Sequence, residues 1–272
     1  MSYMEYKGKK VYYEVYGQGK PLLLLNGIMM STLSWQIFKD AFSAKNQVIL
    51  LDLLDQGKSD KMENISYTQA DQVEVVKALL DALNLSKVSL MGISYGGEVA
   101  LEFAVKYQEC IDKMVLANTT AKTSSWLRDI GNGWNRSASD AMDYYCTTIP
   151  VIYSPEFYEA KRDWMNARKT FLTENIFNQK PFMDSMVRLT ESAENHDVTG
   201  ELQNIKVPTL IISSENDYIT PMAEQRLLHQ LITSSELVVL PNTGHASMYE
   251  RPVLFATLVL GFINLEQIEF NL

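Results

Sequence analysis

Residues 87–104 read KVSLMGISYGGEVALEFA, and their passage from an apolar run through a glycine-flanked serine into a helix-period segment decides how the chain folds. KVSLM has the length and character of a buried parallel strand, and from Gly97 to Gln108 apolar residues recur at helical spacing. Ser94 then sits on a sharp strand-to-helix turn. Such a turn strains the serine backbone and pushes the hydroxyl out beyond the carboxyl edge of the sheet. It tolerates only small residues two before and two after the serine, and Gly92 and Gly96 supply them. The helix that follows aims its free N–H groups and partial positive charge at the place where negative charge would develop on a reacting group.

The same rhythm repeats on both sides. MEYKGKKVYYEVY at 4–16 reads as two short strands around a Lys-Gly turn. PLLLLNG at 21–27, NQVILLDLL at 46–54 and DKMVLANT at 112–119 read as buried strands closed by polar residues or glycine. Helix-period segments lie between them, at Thr32 to Phe42 and Thr68 to Leu83, the second opened by a Thr68/Asp71 capping box. From 121 to 200 strand pattern gives way to an aromatic-rich stretch that reads as a helical insertion. Alternation returns with VPTLIIS at 207–213, a helix from Met222 to Leu231, ELVVLP at 236–241 and a last helix from Pro252 to about Leu265. The expected fold is α/β, a mostly parallel eight-stranded doubly wound sheet, with residues 1–120 and 201–272 as core and 121–200 as a helical cap.

A serine so placed needs a base, and the base needs an acid to orient it. His245 stands in NTGH, after ELVVLP and before the last helix; Asp217 stands in SEND, after VPTLIIS. The order serine, acid, histidine follows, with Ser94, Asp217 and His245 as candidate catalytic residues. Glu215 is the alternative acid. Of the other histidines, His229 falls inside a helical stretch and reads as a packed or solvated side chain, while His196 falls between the insertion and the returning sheet and reads as a turn or hinge residue. Two N–H donors are also required for an oxyanion; the amide of Tyr95 is one candidate and that of Ile28, in the bend Gly27 permits, the other. Met29, Trp35, Trp126 and Trp134 are expected to line an apolar substrate pocket.

Composition narrows the partners. Acidic residues outnumber basic ones by 33 to 24, for a net charge of −9, which repels phosphate backbones and anionic lipid headgroups and so argues against nucleic-acid or membrane partners. Cys110 and Cys146 have no nearby cysteine or histidine in sequence and read as free thiols. No apolar run is long enough to span a bilayer or to form a signal segment, so a cytoplasmic protein is expected. Monomer and homodimer are both compatible with the sequence.

LLLLNG, DLLDQGKSD at 52–60, MGISYGGEVALEFA, VPTLIISSENDYITP and LPNTGHASMYERP together resemble the α/β-hydrolase superfamily, in particular its small-esterase, enol-lactonase and carboxylesterase branch. The resemblance implies a serine hydrolase that cleaves a small or medium hydrophobic ester, lactone or thioester through an acyl-enzyme, with no metal or organic cofactor. It also leaves room for other chemistry on the same residues, such as carbon–carbon bond hydrolysis, perhydrolysis or lyase chemistry, and for a non-catalytic ligand receptor. Two positions depart from the family pattern. Asn26-Gly27 replaces the usual His-Gly, and Asp52-Leu53-Leu54-Asp55-Gln56-Gly57-Lys58-Ser59 lacks the usual arginine two after the first aspartate, which removes a structural ion pair.

Overall fold

The chain opens on a hairpin whose two turn residues, Lys7 and Gly8, both take positive φ, joining β1 (Ser2–Tyr6) to β2 (Lys9–Tyr16). The computed structural model describes residues 2–265; residue 1 and residues 266–272, assigned to the core from sequence, lie outside the described residues. The remaining strands are β3 (Lys20–Leu25), β4 (Asn46–Leu51), β5 (Val88–Ile93), β6 (Ile111–Ala117), β7 (Thr209–Ser214) and β8 (Ser235–Leu240). They form one sheet in the order β1-β2-β4-β3-β5-β6-β7-β8. β1–β2 and β2–β4 pair antiparallel, and every later pair is parallel. This is the eight-stranded, mostly parallel architecture expected from sequence.

Side-chain alternation sorts the buried residues into two layers. Leu23, Leu25, Ile49 and Leu51 face one core, which also takes Val73, Val76, Leu79 and Leu80 of α2 (Gln69–Ala82) and Val99, Leu101 and Phe103 of α3 (Tyr95–Tyr107). Leu22, Leu24, Val48 and Leu50 face the other, against Phe42 of α1 (Lys39–Ser43) and Phe255, Val259 and Ile263 of the C-terminal helix Pro252–Asn264. The period of two thus feeds both faces from the same strands. α2 begins as expected, with Thr68 donating its amide to the Asp71 carboxylate at 3.0 Å.

One expected helix is broken. The segment 32–42 forms a 3₁₀ turn, Thr32–Trp35, and only then α1. Asp52 pins the turn by accepting from the Thr32 amide at 2.7 Å, and Trp35, Phe38 and Phe42 still reach one buried face.

Between β6 and β7 lie α4 (Ser125–Ser137), α5 (Ala141–Ile152), α6 (Pro155–Ala160), α7 (Arg162–Asn175) and α8 (Lys180–Ser192). After β7 come α9 (Met222–Leu231), α10 (Ser247–Glu250) and α11 (Pro252–Asn264). His196 ties the neck of the inserted segment: one ring nitrogen lies 2.8 Å from Glu102 on α3 and the other 3.2 Å from the Thr120 carbonyl. Burial works against its charged form, but the Glu102 hydrogen bond and the charges of Glu98 and Glu102 outweigh it and raise its pKa above the usual histidine value. The Val198 amide also donates to the Ala121 carbonyl, so the outgoing and returning strands of the neck are stitched together. Among the described residues no helix is long and apolar enough to cross a membrane.

Candidate active site

Ser94 takes φ 54° and ψ −124°, a conformation rare for any residue with a side chain. Its amide donates to Ala117 on β6, and its carbonyl accepts from Thr119 Oγ1 at 2.8 Å and from the amides of Gly97 and Glu98. Four hydrogen bonds hold the strained turn. A Cβ on Gly96 would lie 2.5 Å from the Leu25 carbonyl oxygen, which is why only glycine fits where the turn meets β3.

The strand order brings β7 and β8 beside β6, and their carboxyl-end loops carry the partners of Ser94. His245 Nε2 lies 2.9 Å from Ser94 Oγ, and its Nδ1 lies 2.8 Å from Asp217 Oδ2. Asp217 accepts three further hydrogen bonds, from the Ile219 amide at 2.8 Å, the Thr220 amide at 2.9 Å and the Thr220 hydroxyl at 3.0 Å. Those donors hold Asp217 Oδ2 facing Nδ1 as an acceptor, which sets the His245 proton on Nδ1 and leaves Nε2 to accept from serine. Glu215 turns away and accepts from the Asn242 amide at 2.8 Å, so geometry places Asp217 beside the histidine.

Backbone contacts position His245 itself. Its carbonyl accepts from Asn118 Nδ2 at 2.8 Å, and the Ala246 amide donates to the Ile152 carbonyl at 2.7 Å. Gly244 packs so tightly on the end of α5 that a Cβ there would lie 2.5 Å from the Ser154 nitrogen. The histidine loop is therefore seated partly on the inserted helices.

Opposite Ser94 stands the loop after β3. A Cβ on Gly27 would lie 3.5 Å from Ser94 Cβ, and Ile28 and Tyr95 line the same cavity as Ser94 and His245. Neither the Ile28 nor the Tyr95 amide donates to another described residue. Asn26 anchors the loop by donating to the Leu51 carbonyl at 2.7 Å and Gln56 Oε1 at 3.1 Å while accepting from Trp35 Nε1 at 2.7 Å. Gln56 Nε2 closes the link to the Gly27 carbonyl at 3.0 Å. The two departures from the family pattern thus meet in one buried network.

The missing arginine has a counterpart as well. Asp55, at φ 68°, receives Arg188 of α8 through Nη2 at 2.6 Å and Nε at 3.0 Å, together with Ser185. The Asp55 side chain is fully buried, and it links the core to the insertion. Tyr95 makes a second such link, its hydroxyl 2.8 Å from Ser192.

The cavity holds about 260 Å³ and carries Met29 and Trp134 in its wall, as expected. Two expected lining residues lie elsewhere. Trp35 is wholly buried in the opposite layer of the sheet, where its ring packs at a tilt against Phe38 and its indole N–H donates to Asn26. Trp126 is 60% exposed on the outside of α4 and donates to the Tyr218 carbonyl at 3.3 Å. Its place on the outer helix face keeps it from the cavity.

Sequence reading also passed over Glu98, Asn118 and Arg168. Glu98 is buried in the cavity wall one helical turn after Ser94, with Oε2 accepting from Gln69 Nε2 at 2.5 Å. Burial raises its pKa above the usual carboxylate value, against the pull of His196 and the Gln69 bond. The four-residue step from Ser94 was the available signal, since it keeps a side chain on the same helix face. Asn118 and Arg168 depend on contacts across more than a hundred and about eighty residues respectively to His245 and Tyr249, and carry no local signal.

Comparison with known proteins agrees with this geometry. Residues 20–143 match the family model described as alpha/beta hydrolase fold, and residues 184–253 match one described as TAP-like protein. The crystal structure of MGS-M2, an alpha/beta hydrolase enzyme from a Medee basin deep-sea metagenome library, superposes with a TM-score of 0.96 at 48% identity, covering 100% of both chains. The 3-oxoadipate enol-lactonase 1 of Acinetobacter baylyi is 28% identical over 84% of this chain and 83% of its own. A putative carbamate hydrolase, RutD of Pantoea ananatis, is 25% identical over 93% of each.

Proposed function

The chain belongs to the α/β-hydrolase superfamily, and on that premise we propose that it is a serine hydrolase cleaving a small or medium acyl ester, lactone or thioester. The observation that carries this reading is the unbroken hydrogen-bonded line from Ser94 through His245 to Asp217 at the wall of a cavity. A serine hydroxyl is a poor nucleophile until a base removes its proton, and His245 Nε2 is within reach to do so. Asp217 holds the tautomer and stabilises the imidazolium that forms.

In this mechanism Ser94 Oγ attacks the carbonyl carbon while its proton passes to His245. The oxyanion is held by the Tyr95 and Ile28 amides, at the N-terminus of α3, where the helix field adds to the two hydrogen bonds. His245 then protonates the leaving oxygen or sulfur, and water repeats the sequence on the acyl-enzyme. Residues 121–200 act as a cap over a core of residues 1–120 and 201–272, excluding bulk water from the site. The similarity to an enol-lactonase and a carbamate hydrolase supports acyl chemistry on a compact substrate. The small cavity and its Met29 and Trp134 walls agree with that size. Two free cysteines suit a reducing, cytoplasmic setting.

Hydrolysis of p-nitrophenyl esters of increasing acyl length, with fluorophosphonate labelling in parallel, tests the reading. Activity and labelling should both vanish in Ser94→Ala. A wild-type protein that takes no label would overturn the assignment of Ser94 as nucleophile.

A further inference from the structure

Arg168 projects from α7 into the wall of the cavity that holds Ser94 and His245. Its guanidinium carbon lies 5.3 Å from the centre of the Trp164 ring and 5.2 Å from that of Tyr249, two rings whose centres are themselves 6.4 Å apart, so the cation rests on one side of an aromatic pair. Its charge is unanswered. Among the described residues no carboxylate lies within ion-pair distance, and Nε is buried without a hydrogen-bond acceptor.

Of the other arginines of the insertion, Arg162 pairs with Glu159 and Arg188 with Asp55, Arg128 donates to the Glu194 carbonyl, and Arg136 is exposed. Arg168 combines a buried Nε, contact with two aromatic rings and a position on the reaction cavity. Glu250, the acid on the same side, is occupied: it accepts from the Ser154 amide and hydroxyl and from the Gly244 amide. The Arg168 Nε is therefore left without a carboxylate of the protein to accept from it.

A buried donor left unpaired costs free energy, and a cation more than a neutral group, so such a site is completed by an acceptor that arrives with the ligand. Guanidinium geometry matches a carboxylate through two parallel N–H bonds. We propose that Arg168 binds a carboxylate on the acyl part of the substrate, so that the cavity takes half-esters or lactones of dicarboxylic acids. The inference rests on the serine-hydrolase reading, because it places the reacting carbonyl at Ser94 and the free carboxylate at Arg168.

The test uses mono-p-nitrophenyl esters of the C4 to C8 straight-chain dicarboxylic acids against the same esters with the free acid capped as a carboxamide. For at least one chain length, kcat/KM for the acid should exceed that for the carboxamide by about tenfold or more, the discrimination expected when a built polar partner is left unfilled. In Arg168→Gln that ratio should collapse to near one, and in Arg168→Lys it should be partly restored. A ratio near one at every length in the wild type, or a ratio untouched by Arg168→Gln in protein with an unaltered melting temperature, would overturn the proposal. Calorimetric binding of glutarate and adipate to Ser94→Ala needs no turnover. Binding abolished by Arg168→Gln upholds the carboxylate site even if fluorophosphonate fails to label Ser94, whereas labelling without any such binding retains the hydrolase and removes the site.

Discussion

Asn26 and Gln56 support one another beneath the oxyanion loop: Asn26 Nδ2 donates to Gln56 Oε1 at 3.1 Å, and Gln56 Nε2 passes the link on to the Gly27 carbonyl. Neither side chain lines the cavity, so under the proposed mechanism they act on catalysis through the position of the Ile28 amide. Gln56→Leu should lower kcat by about tenfold, less than the roughly 10²–10³ of removing an oxyanion donor outright, with a smaller effect on KM. Steady-state kinetics with a single good ester checks this. A KM effect with kcat intact would place Gln56 in substrate binding instead.

Asp217→Asn keeps the shape of the acid but reverses what it asks of the histidine proton, and kcat should fall by about 10⁴-fold with the fold retained. Glu215→Gln removes only a loop contact to the Asn242 amide and should stay within about threefold, the range expected of a group outside the reacting unit. The pair of variants, assayed side by side, distinguishes the two acids of the SEND segment.

Arg188→Gln strips the partner from a fully buried carboxylate, a change that costs about 3–5 kcal/mol. Asp55 stands at φ 68°, so the double variant Asp55→Gly/Arg188→Gln removes the orphaned charge without backbone strain and should recover much of the loss. Denaturant titration of the single and double variants reads both steps. Equal destabilisation of the two would show that the ion pair is not what the single variant breaks.

Glu98 supplies a pH dependence. Its folded pKa is raised, so between the unfolded value and the folded one the native state binds the extra proton and stability falls as pH rises. Glu98→Gln removes that loss and can still accept the Gln69 bond. The variant should therefore melt above the wild type at pH 8, and the gap should close as pH falls toward 4. A gap of constant size across that range would mean that Glu98 enters the folded state already ionised.

Much of this molecule was legible in one dimension because its signals are local. The step from VSLMGI into a helix shows in a few neighbouring residues, and so do the loop positions of Asp217 and His245 after their strands. Trp35 and Trp126 were misplaced because an aromatic residue announces burial or contact without saying on which side. With hindsight the spacing of Trp35, Phe38 and Phe42 marks one face of a segment that covers the sheet from behind. Asp55, Asn118 and Arg168 were silent because their meaning lies in partners far along the chain, present or missing, and no periodicity encodes a missing partner.

The docking of the histidine loop on the end of α5 works as an interlock. Gly244 is pressed against Ser154, and the Ala246 amide is bonded to Ile152, so the inserted helices cannot lift at that edge without pulling His245 away from Ser94. A molecule opened there is unarmed, and an armed one is shut.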